Sequence, residues 1–336
     1  MQNNNFFKNL KQTFIVAEIG NNHEGSLKNA KRLIDEASKA RVDAVKFQTC
    51  EPENFISRLD LPRIKKLKKV KFSENQIFEL SKYAKKKKLI FFSTPLDLNS
   101  AKFLNKVSKI FKIASCDNDY LDLIDQVLSY KKPTIISTGL VSIKFLKKLE
   151  KRIFSKFKKN QPSLAFLHCV SSYPTKKNEV NLNSIKLMQD TLKNSVIGYS
   201  DHTKGIKACI YAVAAGAKII EKHFTLDKKF SKNFDHHISS DPKEMKKLVN
   251  QIRDLEVYLG QNKKTPSLNE ITNEKKLRRS IFYSKNLKAK SKIKKKDLIM
   301  KRPGIGLNFK DKNKIINKIL FKNVYKDQIV QLGDFV

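Results

Sequence analysis

A chain of 336 residues is too long for one small domain and suits a barrel of roughly 250 residues with an appendage. Its apolar share of 40% can fill a core, which excludes wholesale disorder, and no run of about 18 apolar residues exists to span a membrane. The net charge of +38 invites a nucleic-acid reading, but only nine of the 70 basic residues are arginine, and they are spread along the chain without interleaved aromatics. We therefore expect neither a nucleic-acid nor a membrane partner.

Residues 1–12 are polar, lack the apolar run of a signal peptide, and read as a tail. Four scattered cysteines (Cys50, Cys116, Cys169, Cys209) form no Cys-x-x-Cys pair. That argues against a disulfide framework or zinc ribbon and for reduced thiols in a cytoplasm. From residue 13 on, short apolar, often β-branched runs alternate with helix-period segments. The first run is 13–18; Leu27, Ala30, Leu33, Ile34 and Ala37 follow on one helical face, with Ser26 as N-cap. Further runs lie at 43–48, 89–94, 110–115, 133–138, 164–169, 195–200 and 218–223, with a helix near 74–88 that ends in a lysine run. Eight strands alternating with helices is the count for a closed (β/α)8 TIM barrel, here over 13–260. The rival, a doubly wound open sheet, would carry Gly-x-Gly-x-x-Gly after its first strand, and none is present. Residues 261–276 are polar and turn-rich and read as a linker. Residues 277–336, with short strand-like runs and turns at Pro303-Gly304 and Gly306, read as a small, mostly β domain.

Polar groups recur where the barrel strands end: Glu18, Lys46 with Gln48, Thr94, Lys112 with Ser115, Ser137, His202, and Glu221 with His223. A barrel strand has no packing use for a lysine or glutamate, and an unpaired buried charge costs several kcal/mol, so these groups must pair or meet a ligand. Lys46 alone has a second reading, as a structural partner for Glu18. In a barrel the carboxyl face holds the active site. Two lysines with the hydroxyls of Thr94, Ser115 and Ser137 make a cradle for phosphate and carboxylate. His202 and His223, ending neighbouring strands, are placed to share one metal ion with positions left open. Glu18 is a candidate for orienting a substrate hydroxyl or moving a proton.

These motifs resemble the sialic acid synthase family, which joins phosphoenolpyruvate to an N-acylated amino-sugar aldehyde. The resemblance runs through 17–25 (Ala-Glu-Ile-Gly-Asn-Asn-His-Glu-Gly), Lys46-Phe47-Gln48, Ser93-Thr94-Pro95, Lys112-Ile113-Ala114-Ser115, Ser137-Thr138-Gly139, Tyr173-Pro174-Thr175, 198–203 (Gly-Tyr-Ser-Asp-His-Thr) and 221–225 (Glu-Lys-His-Phe-Thr). Arg278-Arg279-Ser280 and Lys301-Arg302-Pro303-Gly304 look like that family's antifreeze-like (SAF, β-clip) C-terminal domain.

The resemblance implies that Lys46, Thr94, Lys112, Ser115 and Ser137 hold phosphoenolpyruvate. It implies a divalent ion on His202 and His223, typically manganese, with magnesium or cobalt as alternatives. Glu18, Gln48, Tyr173, Glu221 and Asp235 would meet the sugar, with Glu18, Lys112, His202 and His223 carrying the chemistry. A domain-swapped homodimer would let Arg302 reach the acyl-sugar in the other subunit. The expected product is a nonulosonic acid for surface polysaccharide. Departures cluster around the sugar: Cys116-Asp117 for Gly-Glu, Leu96 for phenylalanine, Ser171 for asparagine, and Asn233-Phe234 for Gly-Pro. They leave N-acetylmannosamine and a 2,4-diacetamido dideoxy hexose as alternative acceptors. A related phosphoenolpyruvate-dependent synthase with another aldehyde, and a non-catalytic binding protein, are the competing readings.

Overall fold

The structure, a computed structural model, describes residues 5–158 and 161–336. The chain divides into two compact units, the first ending at Gly260 and the second spanning Gln261–Val336. In the first, eight parallel strands run in chain order: β1 (Phe14–Gly20), β2 (Ala44–Thr49), β3 (Ile90–Pro95), β4 (Phe111–Ile113), β5 (Thr134–Ser137), β6 (Leu164–Cys169), β7 (Val196–Asp201) and β8 (Ile219–His223). β8 closes on β1, pairing Phe14 with Ile219 through Glu18 with His223. This is the eight-stranded barrel expected from the alternation of apolar runs. β4 is shorter than expected because the chain turns into a 3-10 helix at Ser115–Asp117.

The helices form where the sequence places caps and stripes. Ser26 accepts from Asn29 N at the start of Leu27–Lys39, whose buried residues are Ala30, Leu33, Ile34 and Ala37. Ser73 and Gln76 close a capping box at the start of Glu74–Lys86, and its last turn carries Lys85 and Lys86.

Strand period two explains the site. Along β1, Ile15, Ala17 and Ile19 pack outward with the helices, while Phe14 and Val16 point into the barrel. Ala44, Phe92, Ile110, Ile135, Ala165, Leu167 and Ile219 join them in that inner cluster. One step further along the same inward stripes stand Glu18, Lys46, Thr94, Lys112, Ser137, Cys169 and Glu221, so the barrel is apolar at its floor and polar at its mouth. The segment read as a tail completes the floor. Phe7 is buried, its N–H donates to Ser163 Oγ at 3.1 Å, and Phe6 meets Phe14 edge-on at 6.0 Å.

The second unit has an antiparallel pair, β9 (Ser280–Tyr283) and β10 (Leu298–Lys301), over a core of Ile281, Tyr283, Ile293, Leu298, Ile315, Leu320, Val324 and Val330. The stretch read as a linker is not all loop. A helix spans Leu268–Leu277, opened by a Ser267–Glu270 capping box, and none of its residues is buried. Arg302 stands exposed just past β10. Among the described residues no helix is long and apolar enough to cross a membrane.

Candidate active site

The mouth of the barrel holds a cavity of about 570 Å³. Twelve of the thirteen expected site residues line it: Glu18, Lys46, Gln48, Thr94, Lys112, Ser115, Ser137, Tyr173, His202, Glu221, His223 and Asp235. The thirteenth, Arg302, belongs to the second unit.

Four ionisable groups share the cavity floor. Lys46 Nζ lies 2.8 Å from Glu18 Oε2, 3.7 Å from Glu221 Oε2, and donates to Thr94 Oγ1 at 3.2 Å. Lys112 Nζ lies 3.4 Å from Glu221 Oε1, which also accepts from Ser200 Oγ at 3.0 Å. Gln48 Nε2 donates to Glu18 Oε1 at 3.3 Å and is oriented by Asn21, whose Nδ2 donates to Gln48 Oε1 at 3.1 Å. Burial and charge divide these groups. Burial dominates at Glu18 and pushes its carboxyl up to about 7. Burial works against the charge on Lys46, but Glu18 and Glu221 outweigh it and hold Lys46 above the ordinary lysine range. At Glu221 burial is again opposed, here by Lys112 and Lys46, which keep the carboxylate below its ordinary value. Lys112 has weaker support, and burial holds it below the lysine range. An arriving anion would add negative charge beside it and oppose that effect of burial.

Donors converge on the same region. Ser137 Oγ and Ser171 Oγ are buried with no hydrogen-bond partner, an arrangement that leaves them available to a ligand. Ser115 Oγ accepts from Gly139 N at 3.1 Å, so its own proton is free to donate. A Cβ on Gly139 would lie 2.2 Å from Ser171 Oγ and 2.8 Å from Ser115 Oγ, which is why a glycine follows β5 here. Asn118 Nδ2 fixes that loop by donating to Ser137 O at 3.2 Å and Gly139 O at 2.8 Å.

On the other side of the mouth the rings of His202 and His223 lie 5.3 Å apart, and Tyr173 covers His202 at 4.0 Å. His202 Nδ1 is 2.8 Å from Val170 O. A carbonyl only accepts, so Nδ1 carries the proton and Nε2 keeps a lone pair. His223 Nδ1 is buried without a hydrogen bond, 3.5 Å from Asp235 Oδ2. Burial holds both imidazoles below the ordinary histidine value, His223 far below it, so both are neutral near pH 7. The pair offers two neutral nitrogen donors. Among the described residues, no group of three or more His, Cys, Asp or Glu forms a closed metal cage.

Asp235 arrives from the loop after β8, and Asn22 pins it there. Asn22 Oδ1 accepts from Asp235 N at 3.2 Å, while Nδ2 donates to Phe224 O at 2.9 Å and Ser239 Oγ at 3.0 Å. The Asn21-Asn22 part of the first motif thus orients Gln48 and Asp235. Several lining residues had escaped sequence reasoning. Ser200 carried a signal, since it shares the inward stripe of its strand end. Phe55, Arg63 and Lys66 come from the long segment between β2 and β3, where Lys66 sits 4.4 Å over the Phe234 ring. Of the departures, Leu96, Cys116, Ser171 and Phe234 line the cavity, whereas Asp117 is buried outside its lining.

The family described as NeuB matches residues 33–264, and the SAF domain matches 278–336. N,N'-diacetyllegionaminic acid synthase of Campylobacter jejuni is 36% identical over 96% of this chain and 100% of its own length. Pseudaminic acid synthase of the same organism is 35% identical over 98% of each. The solved structure of an N-acetylneuraminic acid (sialic acid) synthetase from Leptospira borgpetersenii, 36% identical, superposes with a TM-score of 0.73 over 78% of this chain and 90% of that one. A closed barrel with this ring of groups, followed by a SAF domain, makes the chain a member of the NeuB family of carbon–carbon bond-forming synthases.

Proposed function

We propose that this enzyme condenses phosphoenolpyruvate with the open-chain form of an N-acylated amino sugar, releasing phosphate and making a nonulosonic acid. The observation that carries the proposal is one cavity floor that joins a lysine–hydroxyl cradle to a pair of neutral histidines. Lys46, Thr94, Lys112, Ser115 and Ser137 hold the phosphate and carboxylate through charge-assisted and hydroxyl hydrogen bonds. The methylene carbon of phosphoenolpyruvate attacks the aldehyde, water adds at the resulting cationic carbon, and phosphate leaves by carbon–oxygen cleavage. Glu18, held near 7, can give or take a proton at a sugar hydroxyl or at that water. Gln48, Tyr173, Glu221 and Asp235 orient the sugar.

The histidines fit a divalent ion: two neutral nitrogens, one with its tautomer set by Val170 O, and among the described residues no group of three or more His, Cys, Asp or Glu that would close the site. Nitrogen donors favour manganese or cobalt over magnesium, which prefers oxygen. Such an ion would supply Lewis-acid polarisation of the aldehyde oxygen. The acceptor is N-acetylmannosamine or a 2,4-diacetamido dideoxy hexose. Four free thiols and a phosphoenolpyruvate substrate fit a cytoplasmic location. A domain-swapped homodimer would bring Arg302 of one subunit to the acyl group bound in the other.

Phosphate release from phosphoenolpyruvate, measured with a panel of N-acylated hexosamines and each metal in turn, tests this reading. Release should need one acceptor and a divalent ion, and should vanish in His202→Ala. Turnover by a chelator-stripped His202→Ala enzyme would remove the metal. Release with unacylated aldoses alone would favour a different phosphoenolpyruvate-dependent synthase. Arg302→Ala should raise KM for the sugar far more than KM for phosphoenolpyruvate; equal shifts would refute the capping role.

A further inference from the structure

The strands that carry the two histidines are tied together by a buried ion pair on their other face. Period two sends Ser200, Glu221 and His223 into the cavity, and Asp201 and Lys222 outward, where Cys209 of the helix Lys207–Ala214 touches Asp201. Asp201 and Lys222 are opposite each other in register, wholly buried, with Lys222 Nζ 2.8 Å from Asp201 Oδ2. Both carboxylate oxygens are occupied. Oδ1 accepts from Tyr199 OH and Thr203 N, each at 2.9 Å, and Oδ2 also accepts from Thr203 Oγ1 at 3.2 Å and Cys209 Sγ at 3.4 Å. Lys222 Nζ donates in addition to Thr203 O at 2.5 Å.

Such a pair adds little stability over apolar side chains of equal volume, because both charges left water to make it. What it does here is geometric. Thr203 is gripped at its N–H by Asp201 and at its C=O by Lys222, so the turn presenting His202 is closed from both ends. Lys222 is itself covalently joined to His223. One ion pair thus references both imidazoles to each other. We infer that Asp201 and Lys222 are positioning residues that set the separation of His202 and His223, and with it the affinity of the divalent-ion site. This rests on the metal reading above.

The experiment is direct Mn2+ binding to the full chain, by the electron paramagnetic resonance signal of free ion or by calorimetry, alongside thermal melts. The variants are Asp201→Asn/Lys222→Met, Tyr199→Phe, and His202→Ala as the reference for a lost site. The double variant keeps volume while removing both charges, so it should melt close to wild type yet bind Mn2+ about 10- to 100-fold more weakly. The Mn2+ concentration that half-activates turnover should rise by the same factor. Tyr199→Phe removes a single donor to Asp201 and should weaken binding by a smaller factor, with a fall in its melt of a few degrees. Wild-type affinity in these variants overturns the inference, and if the double variant does not fold, Tyr199→Phe decides alone. A wild type that binds Mn2+ no better than His202→Ala does fails at the metal reading itself, and the inference falls with it.

Discussion

Replacing Glu221 with glutamine removes one negative charge from the middle of the cavity floor and very little volume. That carboxylate lies 3.4 Å from Lys112 Nζ and 3.7 Å from Lys46 Nζ, and all three side chains are buried. Unit charges at 3.4 Å attract by about 5 kcal/mol at an effective dielectric of about 20, before desolvation is subtracted. Breaking a buried pair while its partner stays in place costs ~3–5 kcal/mol. Lys46 would keep Glu18 at 2.8 Å, but Lys112 has no other carboxylate in ion-pair range among the described residues. Lys112 is therefore the group left stranded, a buried cation without its counter-charge. We expect Glu221→Gln to melt roughly 6–20 °C below wild type at mildly alkaline pH, followed by calorimetry. Phosphate or phosphoenolpyruvate supplies the missing negative charge, so either should raise the variant's melting temperature more than that of the wild type. The pH dependence has a definite sign. The folded pKa of Glu221 lies below its ordinary 4.5, so its stabilisation is present above 4.5 and is lost as pH falls through the depressed value. The two melting temperatures should converge on the acid side. A variant as stable as wild type, with phosphate raising both alike, would refute the claim that this carboxylate holds the lysines.

Glu18 should behave in the opposite way. Burial raises it from 4.5 to about 7, so the stability contributed by its protonated form is full below 4.5 and lost as pH rises through about 7. Glu18→Gln mimics that form and should gain on wild type by roughly 3 kcal/mol across this window in urea denaturation; a gap that does not vary with pH would discredit the assignment. Gly139→Ala puts a Cβ 2.2 Å from Ser171 Oγ and 2.8 Å from Ser115 Oγ and should displace both hydroxyls. KM for phosphoenolpyruvate should then rise roughly tenfold or more, and an unchanged KM would exclude both hydroxyls from that contact. Phe7→Ala should cost ~3–5 kcal/mol in chemical denaturation without moving either KM, because the floor it plugs is at the far end from the cavity. Wild-type stability would show the ring to be dispensable.

The barrel was legible because its signals are local. Apolar alternation, helical stripes and caps such as Ser26 are read within about ten residues of each other. The same locality exposed the site: Lys46, Lys112 and Glu221 stood out because an inward barrel position has no packing use for a charge. Where the local signal was faint, the reading lagged. The helix Leu268–Leu277 buries none of its residues, so it shows no apolar stripe and only its Ser267–Glu270 box marks it. Phe6 and Phe7 sit in a polar stretch, and nothing adjacent in the chain reveals the barrel floor beneath them. Arg63 and Lys66 resemble every other cation of a lysine-rich surface until the cavity is seen to reach them.

By itself, then, the sequence determined the element order, the polar ring at the strand ends and the identity of the groups in it. Tertiary structure alone decided which of them meet. That Glu221 stands between Lys46 and Lys112, that Asn22 holds Asp235, and that Asp201 and Lys222 clamp the turn of His202 all follow from closing β8 against β1 and β7. Charge and pKa depend on distance and burial, and both come into being only when strands far apart in the chain close into one barrel.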